Sequence, residues 1–422
     1  MAAVAVTGTG FPRTSWRRVA FAMLAVGWGA NQFSPLLIVY RHDLGLDAGV
    51  IAGLFGIYAA ALIPGLLIGG PVSDRIGRRP VVIPFVAASP LATLLFMLGP
   101  RSLAVIAAGR ALAGLCSGVV FGSATAWVQE LSDDPGTSAR RSAVAMSAGF
   151  GLGPAVAAVL AQWGGDPLVL PYLPHVVIGV AAVAVVWRAP GTGGGGPGHR
   201  SGHRRQWPPR AVRSWRFWLA VAPAAPWVFG VAALAFVVLP QEVTSAGSLS
   251  AGFAGLVTAV TVGSAVAVQP LARRLEARRR LAGNVAGLAC AAMGAILAIV
   301  AVATSNRAVA IACAVVFGLA YGFCLVSGLR ESERLADSGE RGAVVACYYV
   351  LTYVGFGAAY LVDGLSAVIG RANAFVALAA AAAVSAAWIG AYTAGSRAPD
   401  RRAGADEAAT DHMARGRLGQ AG

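Results

Sequence analysis

The chemistry open to this 422-residue chain is set by a short list of side chains. All 33 basic residues are arginine, set against 18 Asp and Glu, five histidines and five cysteines. Without lysine there is no Gly-x-x-x-x-Gly-Lys-Ser/Thr loop, which excludes an ATPase of the usual kind. His42, His175, His199, His203 and His412 fall in loops and segment ends with no metal-ligand spacing, so no metal site is expected. Cys116, Cys290, Cys313, Cys324 and Cys347 lie inside apolar stretches and read as small packing residues. Gly193 to Gly196 follows no strand and is not a dinucleotide turn. The expectation is therefore no enzyme and no cofactor. What remains is ion pairing and proton carriage by carboxylates beside apolar segments. No acid falls near the middle of such a segment, where proton carriers usually sit. Asp43 and Glu242, and Asp363 at the end of another segment, are the nearest candidates for proton coupling.

Those segments define the class. Hydrophobic residues make up 57% of the chain, charged residues 12%, and the mean hydropathy is +0.69, which describes an integral membrane protein and not a soluble one. Apolar runs of about 17 to 25 residues, long enough to span a bilayer, predict about twelve helices. They lie near 19–40, 48–70, 80–99, 103–127, 142–162, 170–187, 216–239, 250–270, 281–303, 307–328, 342–362 and 371–394. With the N-terminus inside, 28 arginines are cytoplasmic and four (Arg41, Arg101, Arg307, Arg371) are outside. This asymmetry predicts a multi-pass protein of the cell membrane with both termini cytoplasmic. The net charge of +15 is then topology and lipid contact rather than nucleic-acid binding. Residues 1–16 carry no short apolar core with a cleavage site and read as a cytoplasmic arm rather than a signal peptide.

Between the second and third spans runs Gly70-Pro71-Val72-Ser73-Asp74-Arg75-Ile76-Gly77-Arg78-Arg79-Pro80. So polar a run between two apolar ones is a membrane-surface loop, turned at Gly77 and closed by Pro80. Its pattern Gly-x-x-x-Asp-Arg-x-Gly-Arg-Arg resembles the loop between the second and third helices of the major facilitator superfamily of transporters. A basic stop between two spans would need the arginines but neither Asp74 nor the glycines. Gly70 is expected to let two helices approach, and Asp74 to face the positive end of another helix. In the fourth span, Arg110 with Gly114 and Gly118 is similar to the family pattern Arg-x-x-x-Gly-x-x-x-Gly. In the fifth, Gly149, Gly153 and Pro154 resemble the antiporter motif Gly-x-x-x-Gly-Pro-x-x-Gly-Gly, departing from it at Ala157-Ala158.

The chain also repeats itself. A shift of 199 places Trp28 on Trp227, Gly53 on Gly252, Gly56 on Gly255 and Pro71 on Pro270, and a shift of 204 places Gly114 on Gly318 and Gly118 on Gly322. Two six-helix halves are expected, 17–187 and 216–395, joined by a flexible cytoplasmic linker 188–215 and followed by a disordered tail 396–422. The family likeness implies an all-helical fold with the halves related by an axis along the membrane normal. The second copy of the loop, Arg273-Arg274-Leu275-Glu276-Ala277-Arg278-Arg279-Arg280, lacks the Gly turn and puts Arg273 opposite Asp74. It reads as a lipid-facing basic anchor.

The resemblance implies a gate in which Asp74, Arg341, Glu130 and Arg78 form a charge chain bridging the halves, with Arg75 and Arg79 beside it. A substrate path between the halves is expected to use Asn31, Gln32, Tyr58, Arg110, Tyr321, Tyr349 and Tyr353, a largely apolar surface suited to an amphipathic organic solute. Arg110 has a competing reading, snorkelling to the outer interface. The leading function is a monomeric secondary transporter exporting a small organic compound against proton entry. Uptake of a metabolite, or a transport-inactive sensor with the same fold, are the alternatives.

Overall fold

The computed structural model describes residues 12, 14–99, 102–132, 135–192, 208–243, 250–337 and 340–395, and these are helical with short connections. Eleven helices are long and apolar enough to cross a membrane: α1 (Trp16–Asp43), α2 (Gly49–Ile76), α3 (Arg78–Leu98), α4 (Leu103–Glu130), α5 (Arg141–Trp163), α7 (Trp215–Val243), α8 (Ala251–Arg278), α9 (Ala282–Thr304), α10 (Arg307–Leu335), α11 (Ala343–Ile369) and α12 (Arg371–Ala394). A shorter apolar helix, α6 (Leu170–Val186), occupies the remaining position. The tail 396–422 and linker residues 193–207 lie outside the described residues.

Local chemistry sets the helix ends. Asp47 caps the helix of α2 through Oδ1 to the Val50 N–H at 2.9 Å, and Asn306 caps α10 through the N–H groups of Ala308 and Val309. Gly77 turns the chain from α2 into α3 at φ +99°, ψ 156°, a conformation for which only glycine is suited. Breaks in helical regularity recur in the two halves. Pro35 starts a 3₁₀ turn at Ser34–Leu36 in α1, and α7 carries a π-helical stretch at Leu234–Val238.

Packing repeats in the same way. Helix α2 packs broadly on α4 and, at the matching place in the second half, α8 on α10. A Cβ on Gly114 or Gly118 would strike the carbonyls of Tyr58 and Leu62, and one on Gly318 or Gly322 those of Thr261 and Ala265, so small residues set the approach in both pairs. Likewise α5 lies on α1, where Gly149 and Gly153 leave room for the backbone of Leu24 and Trp28. The helix runs through Pro154 without a break. Gly70 has open space where a Cβ would stand, and Gly65 and Gly69 instead meet α4 at Leu115 and Val119. The close approach expected of Gly70 belongs to its neighbours, since a step of one residue turns the face by about 100°.

Two seams join the halves, α5 with α8 and α2 with α11. Farthest from the Gly77 turn both are shut. The Gly252 N–H donates to Gln162 Oε1 at 3.0 Å, Arg41 donates to Gln241 at 2.7 Å, and the Tyr360 ring lies against Gly53 and Gly56. Toward the turn they part. Val144 and Val266, which continue the faces that meet at Gly151 and Val262, are 62% and 43% exposed, and Ala60, Pro64 and Ile68 continue the Gly56 face into exposure.

The linker begins as packed structure. The Arg78 N–H donates to Thr192 O at 2.9 Å, Trp127 Nε1 to Pro190 O at 2.9 Å, Arg79 to Trp187 O at 2.8 Å, and Arg18 to Arg188 O. Residues 187–192 therefore fold back over the first half, where a flexible segment was expected. They supply acceptors for arginines that would otherwise lack them.

Candidate transport site

Where the halves meet at mid-height, side chains from both close on a small chamber. Asn31, Tyr58 and Arg110 line it from the first half, and Phe229, Tyr321 and Tyr353 from the second. Phe229 stacks on Tyr353 with ring centroids 4.5 Å apart and on Phe356 at 4.9 Å, while Phe55 and Tyr58 meet Phe356 edge-on across the seam. About 20 Å³ of free space remains, room for about one water molecule. The chamber is nearly filled by its own side chains.

Arg110 is the one lining residue with a full charge. It is 1% exposed, and its guanidinium lies 4.7 Å from the Phe33 ring, 5.3 Å from Phe55 and 4.5 Å from Tyr58. Nε donates to Leu54 O at 2.9 Å and Nη1 to Ala30 O at 3.4 Å. No carboxylate pairs with it among the described residues. Turned inward and held by α1 and α2, it does not snorkel to an interface.

The other residues expected on the path divide. Asn31 lines the chamber, donating to Phe150 O at 3.1 Å and accepting from Ser34 Oγ. Gln32, about 100° round the helix, points away. Its Nε2 donates to Thr93 Oγ1 at 2.9 Å, and Thr93 is 2.6 Å from Nδ1 of the wholly buried His175. Tyr349 packs beside Tyr348 and does not reach the chamber lining. His175, expected at a segment end, thus sits inside a buried polar network between α1, α3 and α6. The signal for it was a lone imidazole within the apolar run 170–187.

At the Gly77 end, Arg78 is the hub. Its Nη1 is 2.6 Å from Asp74 Oδ1 and donates to Ser73 Oγ at 2.7 Å, while Nε and Nη2 donate to Glu130 Oε1 at 3.0 and 2.8 Å. All of these residues belong to the first half. Arg341 begins the helix Arg341–Val354, but its side chain lies outside the described residues. Arg75 is exposed. Arg79 is not beside the gate chain, since it donates to Trp187 O and lies over that indole.

The second copy of the loop is more than the expected basic anchor: Arg273, Arg274, Arg278 and Arg279 are exposed, but Glu276 and Arg280 enter a charge cluster. Arg280 Nε donates to both oxygens of Glu331 at 3.0 Å, and Nη2 also donates to that carboxylate. Arg334 lies 3.6 Å from Glu276 and 3.7 Å from Glu331. Glu276 accepts from the N–H groups of Leu281 at 3.2 Å and Gly283 at 3.0 Å and from Ser327 Oγ. Its hydrogen bond to Glu331 holds the Arg280 guanidinium above its ordinary pKa. The sequence register put Arg273 opposite Asp74, whereas in space Glu276 and Arg280 correspond to Asp74 and Arg78. Helices α8 and α10 run about two turns past the apolar runs that predicted them, carrying these acids with them.

At the opposite end Arg371 bridges Glu242 at 2.8 Å and Asp363 at 2.7 Å, tying α7, α11 and α12 together. Asp43 pairs with its neighbour His42 at 2.8 Å. Glu242 and Asp43, symmetric in sequence, have unlike partners.

Comparison with known proteins agrees with this architecture. The model of the Major Facilitator Superfamily matches residues 19–360. Over 98 residues the chain is 34% identical to Multidrug resistance protein D of Escherichia coli (strain K12), a match covering 23% of this chain and 25% of that protein. It is 25% identical over 149 residues to Quinolone resistance protein NorA of Staphylococcus aureus, covering 34% and 37%. The chain thus matches about a quarter to a third of the length of these relatives. Among solved structures, the POT family transporter PepTSo superposes with a TM-score of 0.74 at 12% identity, covering 91% of this chain and 98% of that one. The nucleoside transporter NupG superposes with a TM-score of 0.69 at 12% identity, covering 90% and 99%. At such identity the likeness is one of fold. With the family model spanning four-fifths of its length and twelve helices in two repeating halves, the chain belongs to the Major Facilitator Superfamily of membrane transporters.

Proposed function

We propose that this transporter exports small amphipathic organic compounds across the cell membrane in exchange for protons. The observation that carries the reading is the aromatic chamber between the halves, shut at one end while the seams part toward the Gly77 turn. With the arginine-rich turn on the cytoplasmic side, this arrangement is an inward-facing one, poised to load from the cytoplasm. The names of relatives such as Multidrug resistance protein D favour export over uptake. Alternating access then consists of rocking the halves about the chamber, a monomer sufficing for the cycle.

The Asp74–Arg78–Glu130 cluster holds one end of the cycle. When the cytoplasmic side closes, α11 approaches this cluster and Arg341 completes the charge chain, a bistable contact of a few kcal/mol. Glu242 and Asp363 are assigned proton entry. They share Arg371, so protonating either loosens the tie between α7, α11 and α12 at the outer end. Asp43 beside His42 is the exposed first acceptor.

The test is proton movement in everted vesicles with an imposed inward-acid gradient, to which panels of amphipathic compounds and metabolites are added. Substrate-dependent loss of the gradient that disappears in Asp74→Asn is expected. Counterflow of labelled solute without any proton movement would replace antiport by facilitated exchange, and no flux of any organic solute would remove the export reading.

A further inference from the structure

We infer that Arg110 is a counter-ion site for an anionic substrate group, and that the preferred cargo is an aromatic monocarboxylate. The inference rests on the chamber being the transport path and deepens that reading.

A guanidinium carries five N–H donors and a charge that does not leave it. Here two of the five reach oxygen, both on backbone carbonyls. The rest of the group faces rings and the chamber, with no acid pairing it among the described residues. Within a membrane a charged side chain is costly, and such residues are normally paired. Two carbonyls and three ring faces solvate the cation but do not neutralise it. A purely structural staple between α1 and α2 would need hydrogen bonds and no charge, which a glutamine side chain supplies.

The surroundings point the unneutralised charge at a ligand. Arg110 borders the free space directly, and the opposite wall consists of Phe229, Tyr353 and Phe356, three rings in mutual contact. A planar carboxylate meets a guanidinium in a two-bond fork, which fixes its direction. An aromatic body attached to that carboxylate would extend into the ring wall of the second half, bridging the halves through one molecule. A cationic solute would instead meet like charge in a site of low dielectric. The charge of Arg110 therefore selects against amines as well as for acids.

The measurement is equilibrium binding to the full-length protein in lipid nanodiscs, using a naphthalene carboxylate, the matched primary amide and the matched primary amine. The carboxylate is expected to bind about tenfold or more tighter than the amide, the range for hydrogen bonds to a charged group, with the amine weakest. In Arg110→Gln the carboxylate and amide should converge, while Arg110→Lys keeps a reduced preference. Tyr353→Ala should weaken all three alike. Equal binding of carboxylate and amide by the unmodified protein, a preference that survives in Arg110→Gln, or no binding by any of the three overturns the inference. Because binding is read without transport, failure of proton antiport leaves this outcome separately legible. Tight binding of the amine with none of the acid would keep the chamber as a path and discard the anion site.

Discussion

The two charge clusters at the Gly77 end share one layout with opposite polarity of burial. In the first half the cation is buried, with the Arg78 side chain 9% exposed between Asp74 at 35% and Glu130 at 32%. In the second half the anions are buried, Glu276 and Glu331 at 0%, while Arg280 and Arg334 are 42% and 43% exposed. A buried arginine with half-exposed acids can exchange partners at the surface with little desolvation. A buried acid that holds backbone N–H groups of the α9 start, as Glu276 does, cannot. Glu276 takes the place of a helix cap there, accepting from Leu281 and Gly283. On the proposed gate reading the first cluster switches and the second holds, which would give near-symmetric halves an asymmetric hinge.

The sharpest test removes a buried acid. Glu331→Ala removes the carboxylate that Arg280 and Arg334 share and, because both arginines are partly exposed and can rehydrate, should cost about 1.5 to 3 kcal/mol, the range for hydrogen bonds to a charged group. It should appear as a large loss of thermal stability in detergent. If the variant melts like the parent, the second cluster is not the rigid one. Gly77→Ala comes next, at about 1 to 3 kcal/mol, because a Cβ is forced into a backbone region reserved for glycine. Its counterpart Leu281→Gly has two opposing parts. The left-handed φ of +59° is relieved by about 1 kcal/mol, but a wholly buried leucine worth about 1.5 to 3 kcal/mol is lost. A net destabilisation of about 1 kcal/mol is expected, and a stabilised variant would show that the side chain contributes nothing to the turn.

Smallest in stability is Asp74→Asn, under about 1 kcal/mol because the Asp74 carboxylate is a third exposed and Arg78 keeps Glu130. Yet transport in proteoliposomes should fall severalfold while membrane insertion and melting stay near the parent values. Proportional loss of stability and transport would make this cluster structural like its partner.

Much of this was legible along the chain. Apolar run lengths located the helices because a bilayer core accepts no unpaired backbone, and glycines four apart located the α2–α4 and α8–α10 faces. Gly77 announced its turn through its type. The second cluster was illegible for a specific reason. Register was taken from matched residues at a shift of 199, while the fold aligns Asp74 with Glu276 and Arg78 with Arg280, three residues further on. Leu281 makes the positive-φ turn that a glycine would have advertised. Gln32 and Asn31 were indistinguishable by type, and His175 resembled any residue near a segment end.

Composition and arginine placement by themselves determined a polytopic helical membrane protein, because transfer free energy depends on which residues lie in a window and not on what they touch, and residues matched at shifts of 199 and 204 added its two repeated halves. Tertiary structure alone decided which polar groups meet. Arg110 turns inward onto three rings, Gln32 turns to Thr93 and His175, and Glu276 closes on the start of α9. Those outcomes depend on helix rotation and on approach distances of an ångström or two, which small residues on a neighbouring helix set and no single segment encodes.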